Sequence, residues 1–475
     1  RGFYKSLKEG RCKMRIKNKK LFALLFAAFF AFGIYFAFSH FAPKEEVITY
    51  SQFYKLVQEG QVISARISPD KIYFSLVQED SAASTASADM AKNDSVFLRT
   101  DSKEFSTSNP NSPVLQEFLM LNGVQVKIEK DAAKGCILNS RILYFFSEAY
   151  RILGDERCRE GAKAAFEFLQ NNFLDERYGG VFWSVDAEGK KLDTTKHTYA
   201  QAFAVYALST YYKATGEKEA IFLADKLFNL IEEKSWDGRS YRESFTEDFV
   251  PQENDKLSEN GVSATYTMNT LLHVFEAYTA FVAATGNEKA KRAMERILDI
   301  FARDIWNEKK KRQEVFFDSD MKSLIDLYSY GHDIETSWLL DKGLGVLSNS
   351  EYEKKILPLT SAMAENVLAA AFSDGAVATE DERGSVDGRR VWWVQCESIV
   401  GFVNAWQKTS DEGYLKAAYD AWDFTKEHII DKRSGGEWLW RTYKNGAADK
   451  TLPEVSPWKC PYHNGRMCFE LMERI

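Results

Sequence analysis

From Cys136 to the C-terminus the chain reads as a succession of helical segments that alternate in kind. Eleven can be drawn, near residues 138–153, 157–174, 197–214, 217–233, 265–285, 287–304, 332–347, 351–371, 391–407, 411–429 and 462–474. Every second one is small-residue-rich or apolar on most faces, as in Ala200–Ala207, Leu271–Ala283 and Ile399–Ala405. A helix apolar all round has to be buried, whereas the charged segments between can face water on one side. Leu-Gly-Asp155, Thr-Gly-Glu217, Thr-Gly-Asn287 and Thr-Ser-Asp411 mark tight turns between neighbours. Strict alternation of buried and half-exposed helices predicts two concentric rings, an all-α (α/α) barrel over residues 133–475. The strand-like pieces Gly179–Trp183 and Gly435–Trp440 would decorate one mouth.

The first third is of another kind. Residues 1–20 carry nine Lys/Arg against one Glu, and residues 21–41 follow as an apolar run without a charged residue. Such a run is long enough to span a bilayer as a helix. The basic block before it puts residue 1 in the cytoplasm and residue 45 onward outside, so the expectation is a membrane-anchored protein. Residues 45–130 then read as a small α/β domain. A Ser-capped helix over 50–60 is expected, with strands at 62–68, 71–76, 96–100 and 124–128, a Ser/Ala-rich mobile loop over 80–95 and a helix over 113–121. The basic start, the span, Ile48-Thr-Tyr-Ser-Gln-Phe53 and Leu121-Asn-Gly-Val-Gln-Val126 resemble the N-terminal region of the FtsH-type membrane zinc metalloproteases, over residues 14–130. That family's chemistry does not come with the likeness. The chain has neither a GxxxxGK[ST] phosphate loop nor an HExxH pair.

A net charge of −7 and a pI near 5.7 argue against a nucleic-acid partner. The six cysteines form no CxxC pair or paired zinc spacing, and free thiols are expected. With only six histidines in the chain, each can be weighed. In Ser329-Tyr-Gly-His332-Asp-Ile-Glu335-Thr-Ser-Trp338, His332 opens a helix and Glu335 falls three residues later on the same face. A carboxylate there can fix the imidazole tautomer and raise its basicity, and Trp338 offers a flat apolar surface. A packing-only His–Glu pair is the bland alternative. Asn269 and His273 are four apart on one apolar helix, and Trp393 and Glu397 repeat that spacing. Arg141 lies on an inner helix, and His463 starts the last one. His40, His197 and His428 are read as structural.

Taken together, Lys134-Gly-Cys-Ile-Leu-Asn-Ser-Arg141, Lys196-His-Thr-Tyr199, Met268-Asn269-Thr-Leu-Leu-His273, Ser329-Tyr-Gly-His332-Asp-Ile-Glu335, Trp392-Trp393-Val-Gln-Cys-Glu397 and Trp458-Lys-Cys-Pro-Tyr-His463-Asn-Gly-Arg466 resemble the sugar 2-epimerases. These are the N-acylglucosamine 2-epimerase superfamily and, within it, the cellobiose branch. The resemblance implies an (α/α)6 barrel and reversible inversion at C2 of the reducing-end glucose of a cellobiose-like, lactose-like or mannosyl-glucose disaccharide. Ring opening and an enediolate are implied, with no metal and no other cofactor. His332 and His463 match the acid/base pair, and Arg141 and His273 the groups that stabilise the enediolate. Tyr199, Asn269, Glu335, Trp338 and Glu397 match further contacts, with Trp393 and Trp458 stacking on the sugar rings and Trp392 and Trp438 at the mouth. Against the family's twelve helices the first outer helix is missing, which leaves a seam. Residue 1 is Arg and the junction at 131–133 is abrupt, so a fragment or a chimera of two genes is expected. Two other classes stay open: a glycoside hydrolase using Glu335 and Glu397 as its carboxylate pair, and a non-catalytic membrane-tethered sugar-binding module.

Overall fold

The computed structural model describes residues 46–68, 71–77, 105–108, 115, 118–119, 122–128 and 133–475, the last stretch without 255, 257–259, 434–436, 453–454 and 457–458. The basic segment 1–20, the apolar run 21–41, the loop 80–95, the expected strand 96–100 and Trp458 lie outside the described residues. Among the described residues no helix is long and apolar enough to cross a membrane.

The N-terminal unit is built on helix α1, Tyr50–Gln58. Its cap is Thr49, not a serine: the Thr49 hydroxyl accepts from the Gln52 N–H, and the Gln52 side chain accepts from the Thr49 N–H. Tyr50, Phe53 and Val57 bury one face of α1 against a five-stranded sheet. The strands are β1 (Glu46–Val47), β2 (Val62–Ile67), β3 (Lys71–Leu76), β4 (Phe105–Ser108) and β5 (Gln125–Ile128), in the order β1-β4-β3-β2-β5. β2–β3 and β3–β4 are antiparallel, whereas β1–β4 and β2–β5 are parallel. The pattern in the sequence misses β4, because Phe-Ser-Thr-Ser has no apolar alternation, yet Ser106 and Thr107 are buried. The hydrophobic cluster of this unit is separate from that of the barrel.

All eleven helices expected after residue 133 are present. They are α2 (Cys136–Leu153), α3 (Glu156–Asn172), α4 (Thr198–Thr215), α5 (Lys218–Lys234), α6 (Met268–Thr285), α7 (Glu288–Ile300), α8 (Tyr330–Leu347), α9 (Ser350–Ala371), α10 (Trp392–Thr409), α11 (Glu412–Phe424) and α12 (His463–Arg474). The even-numbered helices pack each on the next, and α12 returns to α2, so they close an inner ring. Each of α3, α5, α7, α9 and α11 packs on the inner helix before it. The alternation in the sequence follows from this: α4 is buried without a break from Thr198 to Tyr211, while α3 buries only Ala162, Phe166 and Leu169. Among the described residues there are thus six inner helices and five outer ones, and the α2–α12 pair lacks an outer partner.

One turn design recurs at every inner-to-outer connection. The inner helix ends on a left-handed residue, Gly154, Gly216, Gly286, Ser348 or Ser410, which no helix can continue through. The next residue, Asp155, Glu217, Asn287, Asn349 or Asp411, accepts a backbone N–H of the outer helix with its side chain. Connections this short put every outer-to-inner crossing at the other end. There the chain makes short antiparallel pairings, both between distant segments, such as Leu327–Ser329 with Glu380–Glu382 and Arg390–Val391 with Arg441–Thr442, and as small hairpins, such as Glu380–Glu382 with Ser385–Asp387. Among the described residues these differ from the expected strand-like pieces: pairing involves Ser184–Val185 and Arg441–Thr442 in place of 179–183 and 437–440, apart from a single bridge at Val181.

Candidate active site

The two-residue turns leave the N-termini of all six inner helices together at the hairpin end. Arg141 is on α2, Tyr199 on α4, Asn269 and His273 on α6, His332 and Glu335 on α8, Trp393 and Glu397 on α10, and His463 and Arg466 on α12. All lie in the first two turns of their helices. Helix N-termini carry partial positive charge, so six of them around one cavity favour an anion or a developing negative charge.

The floor of the site is one guanidinium shared by three carboxylates. Arg466 Nη1 donates to Glu276 Oε1 at 2.6 Å and to Tyr462 Oη at 2.7 Å. Its Nη2 reaches Glu397 Oε1 at 2.8 Å and also donates to Glu335 Oε1. All four side chains are at most 5% exposed. Burial opposes ionisation of Glu276, but Arg466 and then His273 outweigh it and hold the carboxyl well below its usual range. Burial pushes Glu397 up, and Arg466 offsets only part of the rise. The guanidinium itself is held protonated by its three acidic neighbours against burial.

Above this floor stand three imidazoles. His463 Nδ1 lies 2.7 Å from Glu397 Oε1. Glu397 already accepts from Arg466 on Oε1 and from Trp338 Nε1 at 3.0 Å on Oε2, so His463 is the donor and its lone pair is on Nε2. His273 Nδ1 lies 2.7 Å from Glu276 Oε2 and, by the same reasoning, donates. His332 Nδ1 lies 2.6 Å from Ser329 Oγ. Burial lowers His332 to about 4. Burial, then Arg466 and Arg141, keep His463 well below its usual value. The indole of Trp393 joins the two ends of the site, with its centroid 4.9 Å from His332 and 5.6 Å from His463. The His463 ring in turn lies 4.7 Å from Tyr462. Arg141 sits 4.7 Å from both the Tyr462 and Phe203 rings and donates to Tyr199 Oη at 3.3 Å. The chain of contacts ends at His273, 4.9 Å from Phe203 and 5.1 Å from Tyr199. His332, His463 and the guanidinium of Arg141 are therefore joined by one continuous run of ring contacts.

The family model for N-acylglucosamine 2-epimerase (GlcNAc 2-epimerase) matches residues 123–464. The chain belongs to the N-acylglucosamine 2-epimerase family. It is 46% identical over 362 residues to the cellobiose 2-epimerase of Eubacterium cellulosolvens, covering 73% of this chain and 89% of that protein. It is 44% identical over 349 residues to that of Ruminococcus albus, covering 74% and 90%. The solved cellobiose 2-epimerase of Bacillus thermoamylovorans B4167 superposes with a TM-score of 0.70 at 43% identity, covering 73% of this chain and 89% of that one. The protein is accordingly a carbohydrate 2-epimerase, an isomerase, with an (α/α) barrel. A second family model, FtsH Extracellular, matches residues 21–134.

Within this epimerase frame several expectations are corrected. Glu335 does not hold His332 by a hydrogen bond, although its charge acts against burial to raise the basicity of that imidazole. The charged guanidinium of Arg466 captures Glu335, and His332 turns to Ser329, the residue before α8. The His–Glu pairs of the site are instead His273–Glu276 and His463–Glu397. Trp338 is no sugar platform: it is fully buried beneath the site, donating to Glu397 with Arg466 5.0 Å from its ring. Trp392 is buried, packed on Trp440 at 4.5 Å and with its ring 6.2 Å from that of His463. Trp438 is half-buried and lies 6.5 Å from Trp422, next to the outer helix α11. Asn269 is half-buried, one turn before His273, and its buried Oδ1 has no partner among the described residues. His197 is structural, bonded to Asn254 at 3.2 Å and capping α4.

Two site residues escape the sequence reading, Glu276 and Arg466. Both signals were visible in the motifs: Glu276 is three residues after His273, and Arg466 three after His463. Glu335, Glu397 and His463 could by distance hold a metal ion, since one ligand atom of each lies within 4.8 Å of the others. Arg466 already supplies the cation between the two carboxylates, and the donor set does not fit a second one.

Proposed function

We propose that this epimerase inverts C2 of the reducing-end glucose of a β-1,4-linked disaccharide such as cellobiose, giving the mannose epimer. The relatives named cellobiose 2-epimerase, at 44–46% identity over nine-tenths of their length, support that substrate. The observation that carries the chemistry is the pair of imidazoles packed against one indole, each with Nδ1 engaged, so that Nε2 is the atom offered to the substrate.

The sugar ring first opens, with His332 and its Ser329 partner moving protons at the ring oxygen and the C1 hydroxyl. His463 Nε2 then takes the C2 proton, acidified by the C1 aldehyde, and becomes imidazolium; Glu397 stabilises that charge. The electron pair left on C2 forms an enediolate, which Arg141 and the six helix N-termini stabilise. His273, whose Nδ1–H is committed to Glu276, offers Nε2 as an acceptor for a sugar hydroxyl, with Tyr199 and Asn269 beside it. Trp393 carries the stacked ring, and Trp458 is assigned the second. Because His332 and His463 are both held neutral, a single base that removes the proton and returns it after rotation of the intermediate is favoured over two bases of opposite charge state.

Incubation with cellobiose in D2O, followed by NMR, tests this. Deuterium at C2 and a mannose-containing disaccharide are expected, and His463→Ala should abolish both without altering the circular dichroism. Cellobiose labelled with deuterium at C2 should pass part of its label to the product in H2O if one base serves both faces. Release of free glucose would instead mean hydrolysis. The geometry disfavours that: Glu335 and Glu397 share one guanidinium, whereas a glycosidase pair stands about 5–9.5 Å apart across the scissile bond.

For the N-terminal part we propose a membrane anchor at residues 21–41 with residues 45–130 beyond it. The apolar run and the FtsH Extracellular match support it. Full-length protein should resist extraction from membranes by alkaline carbonate, and protein lacking residues 1–45 should not. Equal extraction of the two would remove the anchor.

A further inference from the structure

The glycine before the imidazole on α8 has no conformational reason to be glycine. Gly331 is the second residue of a regular helix, its φ is not positive, and glycine is a poor helix former. Its surroundings supply the reason. A Cβ at Gly331 would stand 2.5 Å from Cη2 and 2.7 Å from Cζ3 of Trp393, and 2.8 Å from Cγ2 of Val394. Distances this short require movement. The partner helix makes the reciprocal approach, since a Cβ at Gly401 of α10 would stand 2.5 Å from Ile334 on α8. Helices α8 and α10 are thus drawn together by one glycine each. His332 rides on the first of these helices, and Trp393 and Glu397 on the second.

We propose that Gly331 is a positioning residue: the bare backbone beside the indole sets where Trp393 lies against His332 and His463. The benzo edge of Trp393 rests on Gly331, and its centroid is 4.9 Å from His332 and 5.6 Å from His463. Val394 is fully buried beside the same spot, and Trp393 itself is half-buried. A methyl group at residue 331 cannot displace the wall, so it drives the indole into the space the sugar ring would take. The effect should fall on sugar binding more than on the proton transfer.

The kinetic part of the test rests on the epimerase reading above; the structural part does not. Gly331→Ala in the full chain should raise KM for cellobiose roughly tenfold, as expected when a stacking surface is misplaced, with kcat changed less than threefold. Trp393→Phe removes the benzo edge, so adding Gly331→Ala to that variant should change KM less than twofold. This non-additivity is the signature of direct contact, and a merely structural glycine would not give it. Equal fold-changes in both backgrounds would overturn the proposal. A crystal structure of Gly331→Ala provides the second readout: Trp393 should be shifted toward the cavity, and an unmoved indole would overturn the proposal as well. Were Gly331→Ala too unstable to isolate, a double variant that folds would itself show the relief of contact, and one that does not fold would count against it. Should the wild-type protein fail to convert cellobiose, the substrate assignment falls, while the position of the indole still decides the role of Gly331.

Discussion

At the scale of single residues the site depends on charges that are buried and paired. Three carboxylates around one guanidinium would repel one another without Arg466, and removal of a partner from such a group leaves uncompensated charge. His332 and His463 face the opposite problem, since burial penalises their charged form. His332 titrates near 4 in the folded chain against 6.5 in the open one. Between those values the unfolded state holds a proton that the native state lacks, so stability is complete above pH 6.5 and declines as pH falls toward 4. A reaction that needs His332 neutral should keep its base form across the same window. The pH profile of kcat/KM should therefore show no acid limb at 6.5, with its midpoint below 5; a limb at 6.5 would place His332 in contact with water. His332→Asn should in addition flatten the decline of the melting temperature between pH 6.5 and 4. The sequence names His332, His463, Arg141 and His273 as candidates, and the fold brings them together, but their partners were not legible. Spacing of three residues says that two side chains share a helix face. It cannot say that a third group, 131 residues further along the chain, binds the carboxylate more strongly.

At the scale of elements the barrel is a repeated sentence with repeated punctuation. Gly-Asp, Gly-Glu, Gly-Asn, Ser-Asn and Ser-Asp each end an inner helix in the left-handed region and cap the outer helix that follows. Three of these junctions use glycine at the left-handed position and two use serine, at φ 51 for Ser348 and 58 for Ser410. Ser410 is exposed, so its conformation is imposed by the turn alone. Ser410→Gly should stabilise the protein by about 0.5–1 kcal/mol, read as a rise in the urea midpoint. Activity should be unchanged, because the turn is at the end of the barrel away from the site. Helix number, alternation and four of the five turns could be read in advance for this reason: they are local, and the same chemistry recurs. Strand β4 and the short hairpins could not, because Ser and Thr are buried there by tertiary packing that leaves no periodic trace.

At the scale of the whole molecule the weakest place is the seam. Every other inner pair is backed by outer helices, but among the described residues nothing covers the outer side of α2 and α12, where Leu153, Met472 and Ile475 are exposed. What closes the ring there is small: Phe145 on Phe469 at 5.6 Å, an approach tight enough that a Cβ on Gly465 would meet Phe145 at 2.5 Å, and the Arg151–Glu473 ion pair at 2.5 Å. That ion pair is partly exposed and adds little. Yet α12, a twelve-residue helix at the end of the chain, carries both His463 and Arg466. Opening it removes the proposed base and the cation that binds the three carboxylates, while the other ten barrel helices keep their packing. Local opening of such a segment needs less free energy than global unfolding. Activity should therefore disappear at urea concentrations below the midpoint seen by far-UV circular dichroism, and amides of α12 should exchange with solvent faster than those of α4 and α6. Coincident loss of activity and helicity would mean that the inner ring is a single cooperative unit, closed at the seam as firmly as elsewhere.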